Sequence, residues 1–591
     1  MKKTVDNSIF IHTKTLRDVM VKHKVDPTAL VGSVLQLWCS QEYPRLTSVD
    51  LPIKKRLLND ENVNAFTDFI RRKTFLVSAY WLSSVYALLR EKAYRKSLAM
   101  YFTPPSLTER LLNDLEMQGV NFDKGRFLDP ACGGAAFLAP IALRMKLALK
   151  AEGASPRKIL THVEKNLFGM DIDSTLCALS HQFLKMTLYE EIKVAGREPI
   201  FHIITGNSLC DLGDFFGSID VLVCNPPYRK TKREEIQSCR DNFEEIIEGQ
   251  PNMYGLFIAL SIKLLKQDGI CALVTPTSFL SGQYFSKLRG FLMKEVQVLS
   301  IGMVSDRSGV FIDVLQETAL TLLKRMSRVR SSQTKATVSV VSCDGNYLDV
   351  GPCVLPNSGA AWPIPRTETD VFLLKKIATS QFRIKDYGYA VRIGTFVWNR
   401  DKRPVYMSAT EVKRYKVRTA VPLLWSSDIK SGSVLKFDGT KKENGEPCFV
   451  DFGDKTHRSI IRRVSVVLQR VTSNDQPRRL IASVVPKQLL KKYEGFVGEN
   501  HTVIIEQVVS KPALTPKQMV ELLGSDVIDR SFRCISGATN VSAFELSQLS
   551  LPDPTQLKRF IDRGDSIEDA VRKVVFGSGY MPVKTRNELC M

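Results

Sequence analysis

Between residues 100 and 330, short apolar runs alternate with helix-length segments, and this alternation restricts the fold more than any other feature of the chain. The apolar runs are 126–129, 167–171, 202–205, 220–224, 270–275, 296–302 and 317–323. Between them lie the helical patterns 135–150, 174–189, 254–266 and 284–295. Strand, helix and strand in succession is the signature of parallel strands joined by crossovers, so this segment predicts an open α/β sheet. Such a sheet binds ligands beyond the carboxyl ends of its strands. The chemistry is therefore expected there.

The flanking regions differ in texture. Residues 1–98 read as helical, 99–330 as the α/β segment, and 331–591 as a region of β-branched runs, turns and basic clusters. A length of 591 residues accommodates this division into about three to four domains. The most apolar stretch, 74–89, is broken by serines and tyrosines and is shorter than the ~20 residues a membrane span needs. It reads as a buried helix. The N-terminal residues are followed by Asn7-Ser8 and not by an apolar stretch, so no secretory signal is expected. Twelve cysteines are scattered without C-x-x-C pairing, which predicts neither a disulfide framework nor a zinc site and fits the reduced cytoplasm. A formal charge of +21 points to a polyanionic partner, with nucleic acid ahead of an anionic membrane surface.

Two segments concentrate the chemistry. In Phe127-Leu128-Asp129-Pro130-Ala131-Cys132-Gly133-Gly134-Ala135 a strand ends in a carboxylate and a loop of small residues opens a helix. Small residues let backbone approach a ligand, and a helix start offers free N–H groups. The next strand ends in Gly169-Met170-Asp171-Ile172-Asp173, which places Asp171 where a carboxylate can accept ribose hydroxyls. Asp129 and Asp171 lie much farther apart than the ~20 residues of the NAD fingerprint, which disfavours a dehydrogenase.

The second segment is an apolar strand running into Asn225-Pro226-Pro227-Tyr228. Consecutive prolines fix the backbone and remove competing N–H groups. An amide oxygen and a rigid carbonyl can then accept both hydrogens of one planar amine, while Tyr228 offers a face for stacking a base.

These residues resemble adenine-N6 DNA methyltransferases of the gamma class, of restriction–modification type. Asp129 to Leu138 is similar to their S-adenosylmethionine loop and Asn225–Tyr228 to their catalytic tetrapeptide, with a Tyr101-Phe102-Thr103-Pro104 element upstream. The similarity continues through Val274-Thr275-Pro276 and Gly309-Val310-Phe311, and more loosely through 380–555. Residues 1–98 are not covered by it.

The resemblance implies a Rossmann-like methyltransferase sheet at 99–330, a helical N-terminal region at 1–98, and a mixed α/β target recognition domain at 331–591. Thr103, Asp129, Ala131, Cys132 and Gly133 would surround the methionine part of S-adenosylmethionine. Asp171 would take the ribose, and Ile172 and Asn207 the cofactor adenine. Asn225 and the Pro226 carbonyl, with Pro227 holding the turn, would accept the target amine's hydrogens. Tyr228 and Phe311 would hold the flipped base. Arg470, Arg478 and Arg479 are the candidate DNA contacts. Double-stranded DNA is the implied partner, a separately encoded restriction endonuclease a second, and the prokaryotic cytoplasm or nucleoid the location, with no membrane. Two positions depart from the family: Gly134-Ala135 stands for Ser-Gly, and Asn207 for an Asp.

Cys132 and Cys224 are not needed as nucleophiles, because transfer to an exocyclic amine requires no covalent intermediate. His501 is expected to be structural. The alternatives are an RNA adenine or protein glutamine methyltransferase, which shares the tetrapeptide, and a methylase–nuclease fusion. Residues 1–98 offer no nuclease motif for the latter.

Overall fold

The computed structural model describes residues 8–46, 48–304, 317–327, 334–472, 476–536 and 540–577. Its contacts divide the chain into two units, one of 1–279 with 284–359 and one of 280–283 with 360–591.

The apolar runs of the first unit become strands β1 (Phe127–Asp129), β2 (Leu167–Asp171), β3 (His202–Thr205), β4 (Ile219–Cys224), β5 (Leu265–Pro276), β6 (Val296–Val304) and β7 (Thr318–Arg325). Two further strands, β8 (Thr334–Val341) and β9 (Tyr347–Leu355), extend the same sheet. The order is β3-β2-β1-β4-β5-β7-β6-β8-β9. Strands β3 to β5 are parallel, and β7 runs antiparallel to both β5 and β6, so the sheet is mixed and not purely parallel. Strand order reverses between β1 and β4, the switch point at which open α/β sheets leave a crevice.

The sheet passes the boundary expected at 330, because β8 pairs in parallel with β6 and β9 folds back on β8. The N-terminal region is likewise no separate body. Its helices Ser8–His23, Pro27–Glu42, Glu61–Arg71 and Phe75–Leu89 share one hydrophobic core with the sheet, from Leu16, Trp38, Phe66 and Leu82 to Phe127, Val221 and Val274. Asp26 caps the second of these by accepting from Ala29 N (2.8 Å), ahead of a proline in its first turn. Helix Phe75–Leu89 is buried along almost its whole length, as its apolar composition predicts. Full burial of a side chain such as Phe66 stabilises by about 1.5–3 kcal/mol. Among the described residues no helix is long and apolar enough to cross a membrane.

The second unit is mixed α/β. A five-stranded sheet orders Tyr389–Ile393, Thr502–Gln507, Ser465–Gln469, Ala482–Val484 and Ser433–Val434. A four-stranded sheet and several helices, among them Glu368–Ile377, Pro516–Leu523, Asp526–Ile535, Pro554–Asp562 and Ile567–Phe576, also belong to it.

Candidate active site

Strand β1 is buried throughout and delivers Asp129 to the crevice. Asp129 Oδ1 accepts from Ala131 N (3.0 Å), which turns the chain into the loop. Cys132 N then donates to Met170 O (3.0 Å) and Gly133 N to Asp171 Oδ2 (3.0 Å), so the loop is laced to the end of β2. Gly133 is left-handed (φ +51°), and a Cβ there would lie 3.1 Å from the Phe102 ring. At Gly134 a Cβ would collide with Ser83 of the N-terminal helix Phe75–Leu89. Ala135 also adopts a left-handed conformation, φ +57°. The following helix therefore begins at Leu138, three residues later than the sequence pattern predicts.

Burial pushes the Asp129 carboxyl up to about 8; the Ala131 N–H opposes this and the nearby Asp171 charge adds to it. Its Oδ2 is buried without a hydrogen-bond partner, and so is Thr103 Oγ1. Both residues face the same cleft. Two orphaned oxygens in one cleft are a site for a ligand's donors.

Asp171 spends both oxygens on backbone, Oδ2 on Gly133 N and Oδ1 on Asp173 N (2.9 Å). Burial raises it to about 6 in spite of those bonds. Ile172 beside it is exposed, an apolar surface at the cleft wall. Asn207 caps the short helix Ser208–Asp211: its Oδ1 accepts from Leu209 N (3.2 Å), and its Nδ2 donates to Cys210 Sγ (3.3 Å). The amide oxygen expected to meet the cofactor's adenine thus holds a turn together.

Asn225 follows the buried end of β4, and its Nδ2 donates to the Tyr101 carbonyl (3.2 Å). That bond turns the amide so that Oδ1 is the free acceptor. Tyr228 donates to Val274 O at the end of β5 (2.9 Å), and its ring meets Tyr254 edge-on (6.1 Å, 77°). Arg229 holds Glu235 through two bonds (2.8 and 2.6 Å).

Every residue expected to hold the cofactor lines this one cleft, together with Asn225 and Pro227. The sequence reading missed Asp173, Arg229 and Leu98, Ala99 and Met100, which also line it, next to Tyr101 and Phe102 of the upstream element. The repeated acid in Asp171-Ile172-Asp173 was a signal for the first of these. Cys132 and Cys224 are buried with thiols pushed well up, Cys132 by the Cys177 thiol and burial and Cys224 by burial, unlike a nucleophilic thiolate. Phe311 lies outside the described residues.

In the second unit Arg479 corrects the expectation of a DNA contact. Its side chain is fully buried, bonded to Thr472 O and Ser536 Oγ, and its N–H donates to Asp529 (2.7 Å). A guanidinium placed there holds the fold together. Arg470 is half-buried and donates to Asn500 O (2.7 Å), whereas Arg478 is half-buried at the surface, its side chain 39% exposed, with Asp526 3.5 Å away. His501 Nδ1 is bonded to Glu499 (3.0 Å), a structural contact.

Residues 165–311 match the Eco57I restriction-modification methylase family. The chain is 24% identical over 358 residues to the Type II methyltransferase M.PstI of Providencia stuartii, which aligns 58% of this chain with 67% of that protein. It is 23% identical over 344 residues to M.BsuBI of Bacillus subtilis, aligning 56% with 64%. The alignments thus span about two thirds of these relatives' length. In fold it is similar to the Type IIL restriction-modification enzyme MmeI, solved in complex with DNA, with a TM-score of 0.55, 12% identity, and coverage of 98% of this chain and 92% of that one. The methylase match assigns S-adenosylmethionine to a chain of this kind.

Proposed function

We propose that this relative of the restriction–modification methylases transfers a methyl group from S-adenosylmethionine to the N6 amine of adenine in duplex DNA. The observation that carries the reading is the Asn225 amide, fixed by Tyr101 with its oxygen free in the cleft that also holds the orphaned Asp129 and Thr103 oxygens. The residues present fit the cofactor: two unpartnered buried acceptors suit an ammonium, and the exposed Ile172 suits an adenine face.

When bound, S-adenosylmethionine supplies a methyl already activated by its sulfonium. The protein's task is alignment and electrostatics. Asp129 and Thr103 would take the ammonium, the loop Ala131–Cys132–Gly133 would lie along the methionine part, and Asp171 would take the ribose. Asn207 would act at the adenine end by holding the turn over it. Asn225 Oδ1 and the Pro226 carbonyl would accept the target amine's two hydrogens and expose its lone pair. Tyr228, anchored through its hydroxyl, would present its ring to the extruded base.

The modification role in a restriction–modification system, with a separate nuclease as partner and a bacterial cytoplasmic setting, is part of the same proposal. The test is incubation with labelled S-adenosylmethionine and duplex DNA, followed by digestion to nucleosides. Label in N6-methyladenine supports the reading. Label in N4-methylcytosine, or transfer to RNA or protein alone, refutes it.

A further inference from the structure

The N-terminal helices reach the cleft at a point the family resemblance leaves unexplained. Tyr86, from helix Phe75–Leu89, donates to both oxygens of Asp173 (3.2 and 3.1 Å), and Tyr94, from helix Lys92–Leu98, donates to Oδ2 (3.0 Å). Asp173 is 4% exposed and lines the cleft. Its Oδ1 also caps helix Ser174–Thr187 through Leu176 N (3.0 Å).

The contacts form a chain. The tyrosines hold the Asp173 side chain, and Asp173 N donates to Asp171 Oδ1 (2.9 Å). Asp171 Oδ2 in turn holds Gly133 N in the loop after β1 (3.0 Å). Ser83, on the same helix as Tyr86, presses on Gly134 of that loop. A buried carboxylate with few donors is costly, and removing one loosens whatever the carboxylate orients. The turn 171–173 is what Asp173 orients.

Resting on the cofactor reading above, we propose that Tyr86 and Tyr94 are positioning residues for cofactor binding, and that residues 75–98 form a clasp setting the Asp171–Asp173 turn against the glycine loop. Neither tyrosine touches the reacting atoms. Their effect falls on cofactor affinity and not on the chemical step.

The experiment compares the full chain with Tyr94→Phe, Tyr86→Phe and Arg45→Ala. Arg45 also joins the N-terminal region to the catalytic one, donating to Lys193 O (3.0 Å), but away from the cleft. S-adenosylmethionine binding is measured by calorimetry, KM and kcat by DNA methylation, and folding by thermal melting. The expected result is about a tenfold rise in Kd and in KM for S-adenosylmethionine for either tyrosine variant. The turnover at saturating cofactor and the affinity of Arg45→Ala should stay unchanged. Wild-type affinity in both tyrosine variants overturns the proposal. So does an equal loss in Arg45→Ala, which would make the effect one of general docking, or a lowered melting point with affinity intact. Failure of the wild-type chain to bind S-adenosylmethionine at all would remove the cofactor reading, and this inference with it.

Discussion

The Asn225 side chain donates to the backbone carbonyl of Tyr101 across 3.2 Å, joining the tetrapeptide after β4 to the segment that precedes β1. A carbonyl cannot be turned off by a side-chain change, so the amide's orientation is built into the backbone. Asn225→Asp replaces the donor with a second acceptor facing that carbonyl. Turnover should fall by roughly 10²-fold or more, with cofactor affinity little changed, measured by steady-state methylation and calorimetry.

Ala135 carries a methyl in a left-handed conformation that costs a non-glycine residue ~1–2 kcal/mol. Ala135→Gly removes that strain and gives back ~0.4–1 kcal/mol in unfolded-chain entropy. Melting temperature and methylation rate should be equal or higher; a large loss of either would show that the methyl contributes packing the loop needs.

Asp129 gives a pH dependence with a definite sign. Its carboxyl is near 8 in the folded chain against about 3.9 unfolded. The folded state therefore holds the extra proton, and this contribution to stability is full below about pH 4 and lost as pH rises through about 8. Melting of the cofactor-free chain should decline across that window, and Asp129→Asn should flatten the decline. Cofactor affinity should rise towards pH 8 as the carboxylate forms, with proton release on binding detectable by calorimetry in buffers of different ionisation enthalpy.

Arg479 is a stability residue. Arg479→Ala strands the Thr472 carbonyl and the Ser536 hydroxyl it now serves. Denaturant unfolding should show a loss of about 3 kcal/mol. Arg478→Ala, at the surface, should leave unfolding unchanged and weaken DNA binding modestly.

With a formal charge of +21, binding to duplex DNA should weaken steeply as salt increases. A binding titration at several salt concentrations should give a straight line in log Kd against log salt, and a flat line would remove the polyanion argument.

Much of this was legible in the sequence, and for identifiable reasons. Runs such as 167–171 and 220–224 are buried on both faces and so are continuously apolar, which makes the central strands plain. Strands β8 and β9 were missed because they alternate exposed and buried residues and form a hairpin without a crossover helix. Asp129, Asp171 and Asn225 were found because each ends a strand or opens the turn after it, whereas Thr103, which precedes a helix, came from the resemblance alone. What could not be read was commitment. Arg478 and Arg479 are adjacent and alike in sequence, yet one is at the surface and the other sealed inside. The Asn207 oxygen, likewise, is spent on Leu209 N. Residues 1–98 carried no motif, since their contribution is a shared core and two tyrosine hydroxyls on one carboxylate.

The most direct test of the central claim is methyl transfer by Asn225→Ala, measured alongside its affinity for S-adenosylmethionine. Adenine methylation should fall by roughly 10²–10³-fold or more, with the cofactor still bound as tightly as by the unaltered chain. Methylation at the unaltered rate would contradict that claim.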